Sequence, residues 1–226
     1  MEKEKDTEGI ARIASFILPS EKVDEYERQR QKILDARHLE MYRESGVPEK
    51  FWSESFDTFH TESEKEIIAF DTVRDFAREP GNRVLILHGR NGTGKTHMLS
   101  AIIRESGGVY ITSSMLCMKY DSAIGYKAKM SREDLIEYYT KVKGVLVIDE
   151  CCKYFLNSDL EKFILTTVVC GRYENNRATA LGTNCNKQPF VEFMGKAVFD
   201  RLTEVCTTVE FDWDSRRKLR RLRSSE

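Results

Sequence analysis

At 226 residues with 40% hydrophobic content, the chain is long enough for one well-buried core plus an appendage, and short for two full-sized domains. Charged residues make up 32% of it, yet the formal net charge is only -1, which excludes a global field drawing the protein to nucleic acid or an anionic membrane. Met1 to Glu8 is charged with no apolar core behind it, and no later apolar run approaches the roughly 18 residues of a membrane span, so a soluble, cytoplasmic protein with no membrane partner is expected.

From Ser20 to about Ser45 the sequence is charged and free of Gly and Pro, with Val23, Tyr26, Ile33, Leu34 and Met41 near helical spacing. This predicts a long helix, either solvated or docking a partner, and makes residues 1–45 an N-terminal helical extension to a domain over 46–226. Gly46-Val47-Pro48 breaks the helix and leads through Phe51-Trp52 and Phe56-Asp57-Thr58-Phe59 to a second helix at about Ser63 to Arg78. Beyond Pro80-Gly81, short apolar runs alternate with helical patterns. Strands are expected at Arg83 to His88, Gly108 to Thr112, Val145 to Asp149, Ala178 to Thr183 and Cys206 to Phe211. Helices are expected at Lys95 to Glu105, Asp159 to Gly171 and Pro189 to Thr203. The alternation predicts an α/β fold with a five-stranded parallel sheet between helices.

After the first strand comes Gly89-Arg90-Asn91-Gly92-Thr93-Gly94-Lys95-Thr96, which fits G-x-x-x-x-G-K-[ST] and opens a helix. Glycines suit such a loop because consecutive backbone N–H groups must turn inward to phosphate oxygens, where a Cβ would clash. The helix N-terminus adds positive potential. Lys95 is expected to neutralise the β- and γ-phosphates and Thr96 to place its hydroxyl on Mg²⁺; Gly89, Asn91, Gly92, Thr93, Gly94 and His97 complete the nucleotide-binding set. Downstream, Gly144-Val145-Leu146-Val147-Ile148-Asp149-Glu150 is an apolar strand ending in two acids, the Walker B position. Asp149 is expected to hold Mg²⁺ and Glu150 to polarise the attacking water as general base.

The stretch from about Arg43 to Arg217 resembles the DnaC/DnaI/IstB group of AAA+ P-loop ATPases. The likeness rests on the lead-in before the P-loop, the paired acids, Gly182-Thr183-Asn184-Cys185-Asn186 as a sensor 1 tip, Gly195 to Leu202 as an arginine-finger segment, and Phe211-Asp212-Trp213-Asp214-Ser215 as the final strand and turn. The resemblance implies ATP as the nucleotide, Asn184 orienting the lytic water, Phe56 or Phe59 lining the adenine, and Arg201 reaching into a neighbouring subunit's site. It further implies a ring or spiral assembly and no C-terminal helical lid, so a lid-borne sensor 2 has no place and Arg216 and Arg217 are weak candidates for it.

In that family the region between the second strand and Walker B carries an extra helix facing single-stranded DNA. Here it holds Lys119, Tyr120, Lys127 and Lys129, where lysines would track phosphates and aromatic faces would stack on bases; a solvated helix pair covering the sheet fits the same residues. The basic run from Arg216 to Arg223 suits a nucleic-acid grip, a solubilising tail or an inter-subunit strap equally. Six cysteines, Cys117, Cys151, Cys152, Cys170, Cys185 and Cys206, lack zinc-site spacing and are expected to be free, buried thiols. The resemblance implies a helicase loader acting with a replicative DNA helicase and single-stranded DNA. An IstB-like transposition helper and an ATP-gated regulator with little turnover are the alternatives.

Overall fold

The computed structural model describes residues 20–124, 130–153 and 158–216. Two compact units make up the chain, residues 1–41 and 42–226. What is described of the first is helix α1 (Ser20–Glu44), whose last turn belongs to the second unit; Ile33, Leu39 and Met41 on it are exposed. The division falls about a helical turn before residue 45 because Tyr42 and Ser45 are already buried. The Tyr42 hydroxyl donates to the Phe51 carbonyl at 3.1 Å.

In the second unit a 3-10 turn (Glu49–Phe51) leads to α2 (Glu64–Arg78), where the Ser63 side chain caps the helix by accepting the Glu66 N–H. There follow β1 (Val84–Gly89), α3 (Lys95–Ser106), β2 (Gly108–Thr112), α4 (Ser113–Ser122), α5 (Arg132–Lys141), β3 (Val145–Cys151), α6 (Ser158–Glu174), β4 (Thr179–Thr183), α7 (Lys187–Met194), α8 (Lys196–Leu202) and β5 (Cys206–Phe211). The five strands form one parallel sheet in the order β2-β3-β4-β1-β5. The expected fold class is therefore observed. Among the described residues no helical domain follows β5, and no helix is long and apolar enough to cross a membrane.

Strand apolarity on both faces has a direct cause. Leu85, Leu87, Val145 and Val147 pack with α2 and α3 on one side, while Val84, Ile86, Leu146 and Ile148 pack with Ile164, Val168 and Phe190 on the other. A strand covered on both faces buries every side chain, so it appears as a continuous apolar run.

One expected helix is two. The pattern over Pro189 to Thr203 is cut at Gly195, whose φ of 94° and ψ of 134° cannot continue a helix; its N–H caps α7 by donating to the Val191 carbonyl. All six cysteines are free, but only Cys117 and Cys151 are buried; the other four are half-buried at the ends and flanks of strands and helices.

The topology places the functional loops. Strand β4 pairs with β1 on one side and β3 on the other, so the carboxy ends of all three emerge side by side. In open parallel sheets this edge is where ligands are held.

Candidate active site

The loop from Gly89 to Gly94 connects β1 to α3, and Gly94 is the N-cap of α3 with φ 105°. A Cβ at Gly94 would meet the Phe59 ring at 2.7 Å, so this position needs glycine for space as well as for backbone conformation. Lys95 is buried at 6% exposure, and its Nζ donates to the Gly89 and Arg90 carbonyls at 2.8 and 2.7 Å. The Thr93 hydroxyl donates to the Arg90 carbonyl at 2.9 Å, closing the loop on itself.

Asp149 is the centre of a compact oxygen cluster. It is 3% exposed, and its Oδ2 accepts from the Thr96 hydroxyl at 2.7 Å and from the Tyr110 hydroxyl at 2.8 Å; Oδ1 accepts the Glu150 N–H at 2.7 Å. Space for this carboxylate comes from Gly182 on β4, where a Cβ would lie 2.2 Å from Asp149 Oδ1. Burial, and then the neighbouring Asp149 charge, push the Tyr110 hydroxyl well above its ordinary range, so Tyr110 stays a neutral donor at physiological pH. Phenylalanine at position 110 removes that donor while Thr96 and Glu150 still satisfy the carboxylate. A loss of about 1 kcal/mol in unfolding free energy is expected, read by urea denaturation. An unchanged midpoint would show that the hydroxyl contributes nothing to holding Asp149.

Glu150 is half exposed at the mouth of the site, with Oε1 3.0 Å from Lys153 Nζ. Next to it, the Thr183 hydroxyl donates to the Cys151 carbonyl at 3.0 Å and accepts the Cys185 N–H at 3.1 Å, tying the tip of β4 to the end of β3. His97, one residue into α3 from Thr96, pairs through Nδ1 with Glu54 at 2.6 Å, and its Nε2 lies 2.7 Å from the Ser55 carbonyl. This clasp fastens the lead-in segment to the P-loop helix.

The chain after β5 folds back over the loop. Trp213 donates its indole N–H to the Thr93 carbonyl at 2.8 Å, and the Arg216 N–H donates to the Gly92 carbonyl at 2.9 Å. The Arg216 guanidinium lies 4.0 Å from the centre of the Phe59 ring, donates to the His60 carbonyl and pairs with Glu66 at 3.0 Å.

These elements enclose a cleft of about 380 Å³. Of the expected site residues, Asn91, Gly92, Gly94, Lys95, Thr96, His97, Asp149, Glu150 and Asn184 line it together. Gly89 and Thr93 shape the loop beneath. Phe56 does not reach the cleft: it is buried against Phe70, edge to face at 5.8 Å, and Phe59 lines the cleft instead. Arg201 is outside this wall too, on α8, with its guanidinium 3.1 Å from Glu174. Lys119 is exposed on α4, whereas Tyr120 has the Arg132 guanidinium 4.6 Å from its ring centre. Lys127 and Lys129, with the tail from Arg217 onward, lie outside the described residues. Tyr110 and Lys153 carry no sequence signal of their own, and the space that Gly182 leaves for Asp149 is visible only in the fold.

The oxygen set fits a magnesium nucleotide. Mg²⁺ prefers one or two protein oxygens plus water and phosphate to an all-protein cage, and Thr96 Oγ1 and Asp149 Oδ2 offer that pair. Among the described residues no cluster of His, Cys, Asp and Glu forms such a cage.

A family model for IstB-like ATP binding proteins matches residues 3–224. The chain belongs to that family. No curated protein sequence matches it significantly. The fold is shared with solved structures at low identity. One is a DnaC helicase loader, with TM-score 0.59, 20% identity, and coverage of 73% of this chain and 100% of that one. Another is DnaI, with TM-score 0.59, 19% identity, and coverage of 75% and 93%. A third is the replication initiator DnaA bound to AMPPCP and single-stranded DNA, with TM-score 0.61 and 15% identity; the match covers 79% of this chain and 56% of that chain, so this protein spans about half of DnaA's length. The IstB-like chain is thus an AAA+ P-loop ATPase.

Proposed function

We propose that this IstB-like ATPase is a helicase loader: an assembly that binds ATP between subunits, engages single-stranded DNA, and releases a hexameric replicative helicase on hydrolysis. The observation that supports it best is the convergence of Lys95, Thr96, Asp149, Glu150 and Asn184 on one cleft, with Arg201 on an exposed helix outside that wall. Such a distribution suits a site that a second subunit completes.

In this reading Lys95 holds the β- and γ-phosphates, with the loop N–H groups around them and Phe59 beside the base. Thr96 and Asp149 hold Mg²⁺, which when bound neutralises charge on the phosphate oxygens. Glu150 accepts a proton from the attacking water, which Asn184 orients. Arg201 of one subunit stabilises charge on the γ-phosphate in the next. Lys119 and Tyr120 on α4, with Lys127 and Lys129, contact single-stranded DNA, and residues 1–45 dock the partner in a cytoplasmic setting.

The test is ATP hydrolysis against protein concentration, with and without single-stranded DNA. Turnover is expected to rise with both, and Lys95→Ala to abolish nucleotide binding and turnover together. Activity indifferent to concentration would mean a monomeric ATPase and end the loader reading. The family to which the chain belongs favours a second reading, an IstB-like transposition helper. Co-purification with a hexameric helicase supports the first and opposes the second.

A further inference from the structure

Strand β3 ends in an unusual turn. Glu150 and Cys152 both have left-handed backbones, with φ 59° and 65°, and neither is glycine. Side-chain-bearing residues keep such conformations where their surroundings over-determine them, and such positions cluster at functional sites. Two contacts flank this turn. From β4, the Thr183 hydroxyl donates to the Cys151 carbonyl at 3.0 Å. From α6, the Glu161 carboxylate accepts the Cys152 N–H through Oε1 at 2.8 Å.

Glu161 stands in the first turn of α6, a place where an acid ordinarily faces water and complements the helix N-terminus. Instead it is 1% exposed. The same Oε1 accepts from the hydroxyl of Ser113, the first residue of α4, at 2.5 Å, and Ser113 is itself fully buried. Burying a carboxylate is costly unless hydrogen bonds compensate it. Here those bonds run to a backbone N–H two residues beyond Glu150 and to the start of α4.

We infer that Glu161 is a positioning residue for ATP hydrolysis: its buried carboxylate holds the Glu150–Cys152 turn in the form that presents the Glu150 carboxylate to the cleft, and through Ser113 ties that turn to α4. The inference rests on Glu150 being the general base. Glu161 is absent from the lining of the cleft, so it acts on the base and leaves nucleotide binding alone.

The experiment is steady-state ATP hydrolysis by the full chain at saturating protein and single-stranded DNA, with affinity for a fluorescent ATP analogue measured alongside. Glu161→Met keeps the length and removes the acceptor; kcat is expected to fall about 10-fold or more while KM and analogue affinity stay within about twofold, since a general base is worth 10²–10⁴ and its misplacement costs part of that. Glu161→Gln keeps an oxygen for both bonds and should hold kcat within about threefold of wild type. Wild-type kcat in Glu161→Met overturns the inference, as does equal loss in Glu161→Gln or loss of analogue affinity together with kcat. If Glu161→Met does not fold, Ser113→Ala carries the test: a fall in kcat of about threefold at unchanged affinity is expected, and unchanged kcat overturns it. Glu150→Gln separates the two claims. Wild-type turnover in that variant removes the general-base reading itself, whereas an inactive Glu150→Gln beside a fully active Glu161→Met removes only the positioning role.

Discussion

Arg201→Ala is expected to lower the turnover of the assembled protein by about 10³-fold or more, the usual worth of an arginine finger, while ATP affinity of the isolated chain stays at the wild-type value. The asymmetry follows from position. Arg201 is in the last turn of α8, half exposed, paired with Glu174 and apart from the cleft of its own chain. Loss of a surface pair costs little stability, so a thermal melt should barely move and the effect should be confined to catalysis. Mixing supplies the sharper readout. If Arg201 acts across an interface, an excess of the Lys95→Ala chain, which keeps its arginine but cannot bind ATP, restores turnover to the Arg201→Ala chain. If mixing restores nothing although the two chains co-assemble, or if Arg201→Ala is fully active alone, the arginine finger is lost and with it the main argument for a ring or spiral.

The parts of the fold legible in the sequence are those set by local chemistry. The β1 and β3 runs are apolar on both faces, and the phosphate loop requires glycines at fixed spacing, so Gly89 to Thr96 and Asp149-Glu150 could be read without tertiary knowledge. Gly195 is flanked on either side by helical spacing, so the break shows only in its backbone, where φ is +94°. Phe56 and Phe59 are equivalent as letters and both are buried in the core; which of them also lines the cleft is decided by the turn between them and by Phe70 and Gly94 beyond. Tyr110 is an aromatic in an apolar strand, and its role depends on an Asp149 that lies 39 positions away in sequence. Glu161 and Arg172 were the least legible. Charges on an amphipathic helix are expected to face water, and only their partners, all from other segments, explain why these two are buried.

Arg172 carries the largest stability effect expected in the molecule. It is fully buried on α6, and burial, with a smaller contribution from Arg177, lowers its pKa to about 10, so it remains charged at neutral pH. Its compensation comes from dipoles. Nη1 donates to the Tyr139 and Val142 carbonyls at 2.9 and 3.1 Å, Nη2 to Gly144 and Ala178 at 2.9 and 2.7 Å, and Nε to Ala178 and the Thr179 hydroxyl at 3.2 and 3.1 Å. Tyr139 and Val142 are at the carboxy end of α5, where a cation is favoured. Gly144 leads into β3 and Ala178 into β4, so one guanidinium fastens a helix end to the starts of the two strands that deliver Asp149 and Asn184. Arg172→Met preserves volume but takes the guanidinium donors from the Tyr139, Val142 and Gly144 carbonyls, while Ala178 keeps the Leu146 N–H; each lost bond costs about 1–3 kcal/mol where no water replaces it. The total approaches the roughly 5–15 kcal/mol that holds a domain together, so Arg172→Met should be largely unfolded or show a urea midpoint far below wild type. Arg172→Lys keeps the charge with too few donors in the wrong geometry, and should recover only part of the loss. If Arg172→Met melts at the wild-type midpoint, these carbonyls have found other partners and the guanidinium is not what joins α5 to the sheet.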